Sequence, residues 1–349
     1  MQDKIKVIII EDSDSIREIL FRGLKDDTSF DVIGAAKDIP SGREMIIKEK
    51  PDVILLDIEM PKMDGIEFLR RIMSQVPIPT VVLSSMTQKG KLITIQAFEA
   101  GAVDFVPKQT TNITHSLELI MNEIRTKLKT ASTANLSSLG KAPFSGRAHD
   151  SQPSPDLSKY SDKVIAIGAS TGGTIALKQV ITNLPTDCPA VLVVHSLPTG
   201  YTKTFADRLN EMSKIHVKEA ESGDRIIAGQ VLIAPGDYHM KVNRVEGGYE
   251  VNCETGERVN GQRPSIDVMM FSVAEYIADD AFGMILTGVG TDGAQGLKAM
   301  KNAGAKNLGQ DEKSCVFYDV SKLALELEAV DRQCHIDTMT ENLIQMITD

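Results

Sequence analysis

Residues 164 to 174 read VIAIGASTGGT, a short β-branched apolar run that breaks into glycines where a helix should begin. A strand apolar along its whole length is covered on both faces, as in a parallel sheet flanked by helices. The glycines then permit a sharp strand-to-helix turn at the carboxyl edge of that sheet. Ser170 sits at the turn. Gly168, Ser170 and Gly172 make a G-x-S-x-G arrangement that pushes a hydroxyl out over the sheet, a candidate nucleophile. The backbone N–H groups that follow lie at a helix N-terminus and suit a developing oxyanion. Turns of this kind also bind phosphates or merely redirect the chain. A dinucleotide fold would want an acid at the end of the next strand, and Ala190 to His195, AVLVVH, ends in none.

Upstream, residues 5 to 128 alternate apolar strands with amphipathic stretches: Ile5 to Ile10, Phe30 to Ala35, Val53 to Leu56, Val81 to Leu83 and Phe105 to Val106. Five βα units of this kind make a doubly wound parallel sheet. Ligands bind such sheets at the carboxyl ends of strands near the switch point, so the strand ends carry the information. Glu11 and Asp12 follow the first strand, Asp57 the third, Ser84 the fourth, and Lys108 comes just after the fifth. Taken singly, each suits a helix cap or a solvated charge. Together, three carboxylates at one sheet edge repel one another unless a hard cation joins them, and Mg²⁺ is the usual choice where phosphate chemistry follows. A hydroxyl and an ammonium opposite suit a phosphoryl group.

The segment LLDIEMPKMDGIEFL, Leu55 to Leu69, resembles the phosphoacceptor segment of response-regulator receiver domains. The resemblance implies a flavodoxin-like five-stranded sheet with Asp57 as the phosphorylated carboxylate. It further implies Glu11, Asp12 and Asp57 as Mg²⁺ ligands, Ser84 and Lys108 as phosphate contacts, and Phe105 as an aromatic switch residue. Gly65 fits the tight turn after Asp64. One departure is Gln109, where receivers usually carry proline; this should alter loop rigidity more than chemistry.

The chain's 349 residues fit two domains, each large enough for its own core. A receiver is expected over 1–128 and a second α/β domain over 161–349. Between them, residues 129–160 are rich in Ser, Pro, Ala and Gly without an apolar period, and read as a flexible tether whose Phe144 could dock on a neighbouring surface. A net charge of -10 argues against a nucleic-acid partner. No apolar run reaches the roughly 18 residues of a membrane span, and the N-terminus enters a strand directly, so a cytoplasmic protein without membrane insertion is expected. Cys188, Cys253, Cys315 and Cys334 lack metal or disulfide spacing and read as free thiols.

In the second domain a helix should follow Ser170, then the strand Ala190 to His195, a helix around Tyr201 to Met212 and the strand Val231 to Ala234. A hairpin near Glu246 to Val251 and a helix from Ser265 to Ala278 come next. Met284 to Leu286 then runs into TGVGTDGAQG, a second glycine-rich turn carrying Asp292. A serine on one such turn and a carboxylate on the other suit a hydrolase if a histidine joins them, because the base must take the serine's proton and a carboxylate fixes the base's tautomer. His239 and His335 are possible bases. His115 falls in the receiver, His149 in the linker, and His216 near a strand.

IGASTGGT, KEAESGDRIIAGQVLIAPGDYHM, QRPSIDVMMFSVAE and MILTGVGTDGAQGLKAM together resemble the catalytic domain of the chemotaxis response-regulator protein-glutamate methylesterases, and receiver, linker and esterase follow that family's order. The resemblance implies Ser170 as nucleophile and Asp292 as triad acid. It implies hydrolysis of glutamate methyl esters on methyl-accepting chemoreceptors, deamidation of receptor glutamines, and phosphorylation by a chemotaxis histidine kinase, with the receiver capping the Ser170 cleft until phosphorylated. Two positions depart. The family reads Q-H-M-P-P-G-F-T after the strand where this chain reads HSLPTGYT, so a gapless register places Ser196 at the catalytic histidine and His195 one residue early. YDVSK, Tyr318 to Lys322, replaces a G-M-P-like segment. His195 is assigned as the base on the expectation that the strand ends at Val194 or bulges, letting it swing inward; regular alternation would turn it to the opposite face. A second expectation, from a different class, is a phosphorylatable binding or phosphate-sink protein with a degraded hydrolase site.

Overall fold

The computed structural model describes residues 3–60, 64–108, 113–138 and 155–349, and the chain divides into two compact units, Met1–Pro143 and Phe144–Asp349. Gln109, Phe144 and His149 lie outside the described residues.

The first unit alternates β1 (Ile5–Ile10), α1 (Asp14–Lys25), β2 (Phe30–Ala36), α2 (Ile39–Glu49), β3 (Val53–Asp57), α3 (Gly65–Gln75), β4 (Thr80–Ser85), α4 (Gln88–Glu99), β5 (Asp104–Lys108) and α5 (Ile113–Ala131). Its parallel sheet has the order β2-β1-β3-β4-β5, as expected from the five apolar runs. Val53 to Asp57 are buried without interruption, the signature of a central strand covered on both faces. Side-chain oxygens of Ser13, Asp38, Asp64 and Thr87 cap α1 to α4. The chain reverses direction of winding between β1 and β3, and the crevice at their carboxyl ends is where Glu11, Asp12 and Asp57 emerge. The helix α5 runs on to Ala131, three residues into the stretch read as tether.

The second unit contains β6 (Val164–Ala169), α6 (Gly173–Thr182), β7 (Ala190–His195), α7 (Tyr201–Met212), β8 (His216–Glu219), β9 (Gln230–Ile233), β10 (His239–Val245), β11 (Gly248–Glu254), α8 (Ile266–Tyr276), β12 (Ala281–Ile285), α9 (Ala294–Asn302), β13 (Lys306–Gln310), α10 (Asp319–Glu326), β14 (Arg332–Cys334) and α11 (Met339–Thr348). Seven strands form a parallel sheet, β14-β13-β12-β6-β7-β9-β8. The hairpin β10-β11 stands apart as an antiparallel pair whose Met240, Val242 and Val251 join the core with Met269, Met270 and Val273 of α8. The switch point lies between β6 and β12, so the turns bearing Ser170 and Asp292 leave adjacent strands. A Cβ on Gly168 would lie 2.3 Å from Cγ2 of Ile266, which shows why the last turn of β6 admits only hydrogen where α8 begins.

Candidate functional site

At the receiver edge Glu11 and Asp57 are buried and Asp12 is exposed, yet one carboxylate oxygen from each lies within 4.8 Å of the others. Lys108 Nζ binds Asp57 Oδ2 at 2.7 Å and Glu11 Oε2 at 3.0 Å. Burial, and then the neighbouring Asp57 charge, push Glu11 above the usual carboxylate range despite that lysine. Such a crowd of anions suits a hard divalent cation with oxygen ligands. The Ser84 hydroxyl sits at the end of β4, 3.1 Å from Glu59 Oε1 and 3.0 Å from the Gly90 carbonyl. Glu59 was not singled out in the sequence; its N–H donates to Asp57 Oδ1 at 3.0 Å. Phe105 is buried, edge-on to Phe98 with ring centroids 5.8 Å apart.

In the second unit Ser170 stands between β6 and α6, where Gly172 adopts φ 79° as the N-cap. Its N–H donates to the Thr287 carbonyl at 3.1 Å, tying the turn to the loop after β12. Its Oγ lies 3.0 Å from Oγ of Ser196. Both hydroxyls open onto a cleft of about 50 Å³, also lined by Asn260, Gln262, Ile266 and Asp292.

The structure does not bring His195 to Ser170. The strand continues through His195, which pairs in register with Ala169, so alternation persists and the imidazole turns to the face opposite the cleft. There it is buried beneath the first turn of α6, with Nδ1 3.2 Å from the Ala169 carbonyl and Nε2 2.9 Å from Thr174 Oγ1. A carbonyl only accepts, so Nδ1 carries the proton and Nε2 accepts from Thr174. The expectation that the strand ends at Val194 is corrected, and with it the means by which His195 would serve as base. The alternatives fare no better. His239 accepts from the Ser265 N–H at Nδ1 and faces the Glu257 carbonyl with Nε2, while His335 accepts from the Asp337 N–H.

Burial holds the His195 pKa down at about 4, against the opposing effect of the Ala169 carbonyl. The unfolded chain protonates this imidazole near pH 6.5, so between there and about pH 4 the unfolded state binds more protons, and stability falls as pH falls. Going from about pH 7.5 to about pH 5, the parent should lose roughly 1–3 kcal/mol more of unfolding free energy than His195→Gln. Urea titrations of both proteins at the two pH values measure this. Equal losses would mean that the imidazole is reached by solvent in the fold.

Asp292 is buried but meets no imidazole among the described residues. Its Oδ1 accepts from Ser265 Oγ at 2.6 Å, Asn260 Nδ2 at 3.0 Å and the Asp267 N–H at 3.3 Å, and its Oδ2 from the Ile266 N–H at 2.7 Å. It therefore caps the start of α8. Asp267, in the first turn of α8, returns the favour by accepting from the Gly293 N–H at 2.9 Å and the Gly296 N–H at 2.7 Å at the start of α9. Asn260 bridges the pair, donating to Asp267 Oδ2 at 2.7 Å as well, from a left-handed backbone with φ 53°. Burial, opposed by the Gly296 N–H and aided by the Asp292 charge, raises the Asp267 pKa. Asn260 and Asp267 escaped the sequence reading, although the Pro-Ser-x-Asp start of α8 was a visible capping signal. The YDVSK segment packs below the same turn: Gly288 N–H donates to the Phe317 carbonyl at 3.0 Å, and buried Val320 lies under Gly288.

Residues 165–343 match the CheB methylesterase family and residues 7–118 the response regulator receiver domain. The chain is 47% identical over 350 residues to a Syntrophotalea carbinolica protein named protein-glutamate methylesterase/protein-glutamine glutaminase, covering 100% of this chain and 99% of that one. A Sulfurimonas denitrificans protein of the same name is 45% identical over 94% of each chain. Among solved structures, the catalytic domain of the Thermotoga maritima CheB methylesterase is 34% identical with a TM-score of 0.52, covering 53% of this chain and 99% of that domain.

Proposed function

Since the chain belongs to the CheB methylesterase family and carries a response regulator receiver ahead of its catalytic domain, we propose that it is a phosphorylation-controlled hydrolase of glutamate methyl esters on methyl-accepting chemoreceptors, with receptor glutamine deamidation as its second reaction. The observation that carries this reading is the Ser170 hydroxyl at a glycine-cornered strand-to-helix turn, opening into a cleft that Asp292 also lines. Ser170 is the nucleophile. The helix start behind it offers backbone dipoles to the oxygen on which charge develops. In the receiver, Asp57 takes a phosphoryl group from a chemotaxis histidine kinase, with Ser84 and Lys108 as its contacts. Glu11, Asp12 and Asp57 would hold Mg²⁺, which supplies charge neutralisation for the phosphoryl oxygens. A cytoplasmic location follows from those partners; no helix among the described residues is long and apolar enough to cross a membrane.

One observation favours a second reading, in which the second domain binds receptor side chains with little turnover: the hydroxyl facing Ser170 belongs to Ser196, and among the described residues no imidazole lines the cleft. Release of methanol from methylated receptor separates the two. On the first reading the phosphorylated full chain releases it, Ser170→Ala does not, and removal of residues 1–160 relieves the restraint of the receiver and raises the basal rate. A folded 161–349 fragment no faster than the unphosphorylated parent would count against that restraint.

A further inference from the structure

We propose that the Ser170 cleft is a binding site for a neutral imidazole base that none of the histidines with described side chains supplies. The inference rests on Ser170 as nucleophile. A serine hydroxyl is inert at neutral pH until a base accepts its proton. The neighbour at 3.0 Å, Ser196 Oγ, is another hydroxyl, a partner for a hydrogen bond but not a base. His195 is spent on Ala169 and Thr174, on the other face of the strand. Asp292 is engaged by four donors at the starts of α8 and its flank.

What the site does retain is room and polarity. A water needs roughly 10–15 Å³ by the same measure, so a cleft of about 50 Å³ accepts a handful of light atoms, the size of a five-membered ring. Its lining includes Ser170, Ser196 and Thr291 together with Asp292, Asn260 and Gln262. A neutral imidazole there accepts the Ser170 proton at one nitrogen and donates its other N–H to an acceptor of the polar lining. For a methyl ester, Ser170 Oγ bonds to the carbonyl carbon, the C–OCH₃ bond breaks, and methoxide leaves as methanol with the proton from the imidazolium. Water then attacks the acyl-serine, its proton passing to the same ring and on to Ser170. The imidazole is supplied either free in solution or as a histidine on the protein substrate.

The test uses the full chain, phosphorylated with acetyl phosphate and Mg²⁺, and reads covalent labelling of Ser170 by a fluorophosphonate, in which the serine oxygen bonds to phosphorus, fluoride leaves and the proton goes to the base. Added imidazole should raise the labelling rate by about tenfold to a hundredfold and saturate, following the neutral fraction of imidazole with pH. Ser196→Gly should respond more strongly, and Ser196→His should label fast without imidazole. Methanol release from methylated receptor separates the sources: dependence on added imidazole indicates the free base, independence a receptor histidine. Labelling that responds while receptor is never hydrolysed supports the site and sinks only the substrate assignment. Labelling indifferent to imidazole, or fast without it and lost in His195→Gln, overturns the proposal.

Discussion

Ser196→His is expected to raise receptor methyl-ester hydrolysis by roughly two to four orders of magnitude, the usual contribution of a positioned general base. The strand β7 runs regularly to His195, and the next side chain therefore returns to the face where Ser170 stands. A histidine there projects from the same Cβ as Ser196 Oγ, which lies 3.0 Å from Ser170 Oγ, into a cleft that Asp292 shares. Loss of a triad base typically costs on the order of 10⁴ to 10⁶ in kcat, leaving the oxyanion site and substrate binding as the residual catalysts. On a substrate that brings no histidine of its own, the parent should therefore work near that floor. His195→Gln, measured beside it, should leave activity unchanged at neutral pH after allowance for folded protein, because the ring it removes faces α6. Steady-state methanol release by the three proteins decides the matter. A parent already as fast as Ser196→His would show that Ser170 finds its base elsewhere.

The other large effect concerns phosphorylation. Asp57→Asn should abolish labelling by acetyl phosphate, and chelation of Mg²⁺ should do the same to the parent. Only a carboxylate can form the acyl phosphate. The Asp57 oxygen nearest Lys108 is held at 2.7 Å, so the ammonium that now neutralises the acid is already at hand for the incoming phosphoryl group. Burial, and then the Asp57 charge, drive Glu11 upward despite the lysine, and Asp12 brings a third carboxylate oxygen within 4.8 Å, an arrangement suited to a dication. Phosphate-affinity electrophoresis with and without chelator reads both effects. Undiminished labelling of Asp57→Asn would move the phosphoacceptor to another residue.

Much of this architecture was legible because strand ends are short, apolar and followed by capping residues: all five receiver strands and the turns at Ser170 and Asp292 fall where the alternation of runs places them. The sheet edge β13-β14 and the helices α10 and α11 were not read. Lys306 to Gln310 and Arg332 to Cys334 carry no β-branched residues, and their strand state comes from pairing, β13 on β12 and β14 on β13, rather than from propensity. The same limit hid Asn260 and Asp267, which act through contacts with a turn more than 25 residues away. His195 was assigned on residue type. Its fate was set by parity along β7, where a shift of one residue exchanges the two faces of the sheet.

The reciprocal stitching of Asp292 and Asp267 across two helix starts has a consequence for how hydrolysis can come and go in such a chain. An aspartate that anchors two helices is kept in place by the needs of folding, whether or not any ester is ever cleaved. Removing it would unsettle both helices at once, so a dead Asp292→Ala protein says nothing about proton transfer. If Asp292 is the acid of the proposed reaction, it is thus insured by the scaffold, whereas a base at position 196, outside any helix or strand, would not be. On the proposed reading of the cleft, one substitution at position 196 would set whether a base faces Ser170, while Asp292 stays held by the helix start it caps.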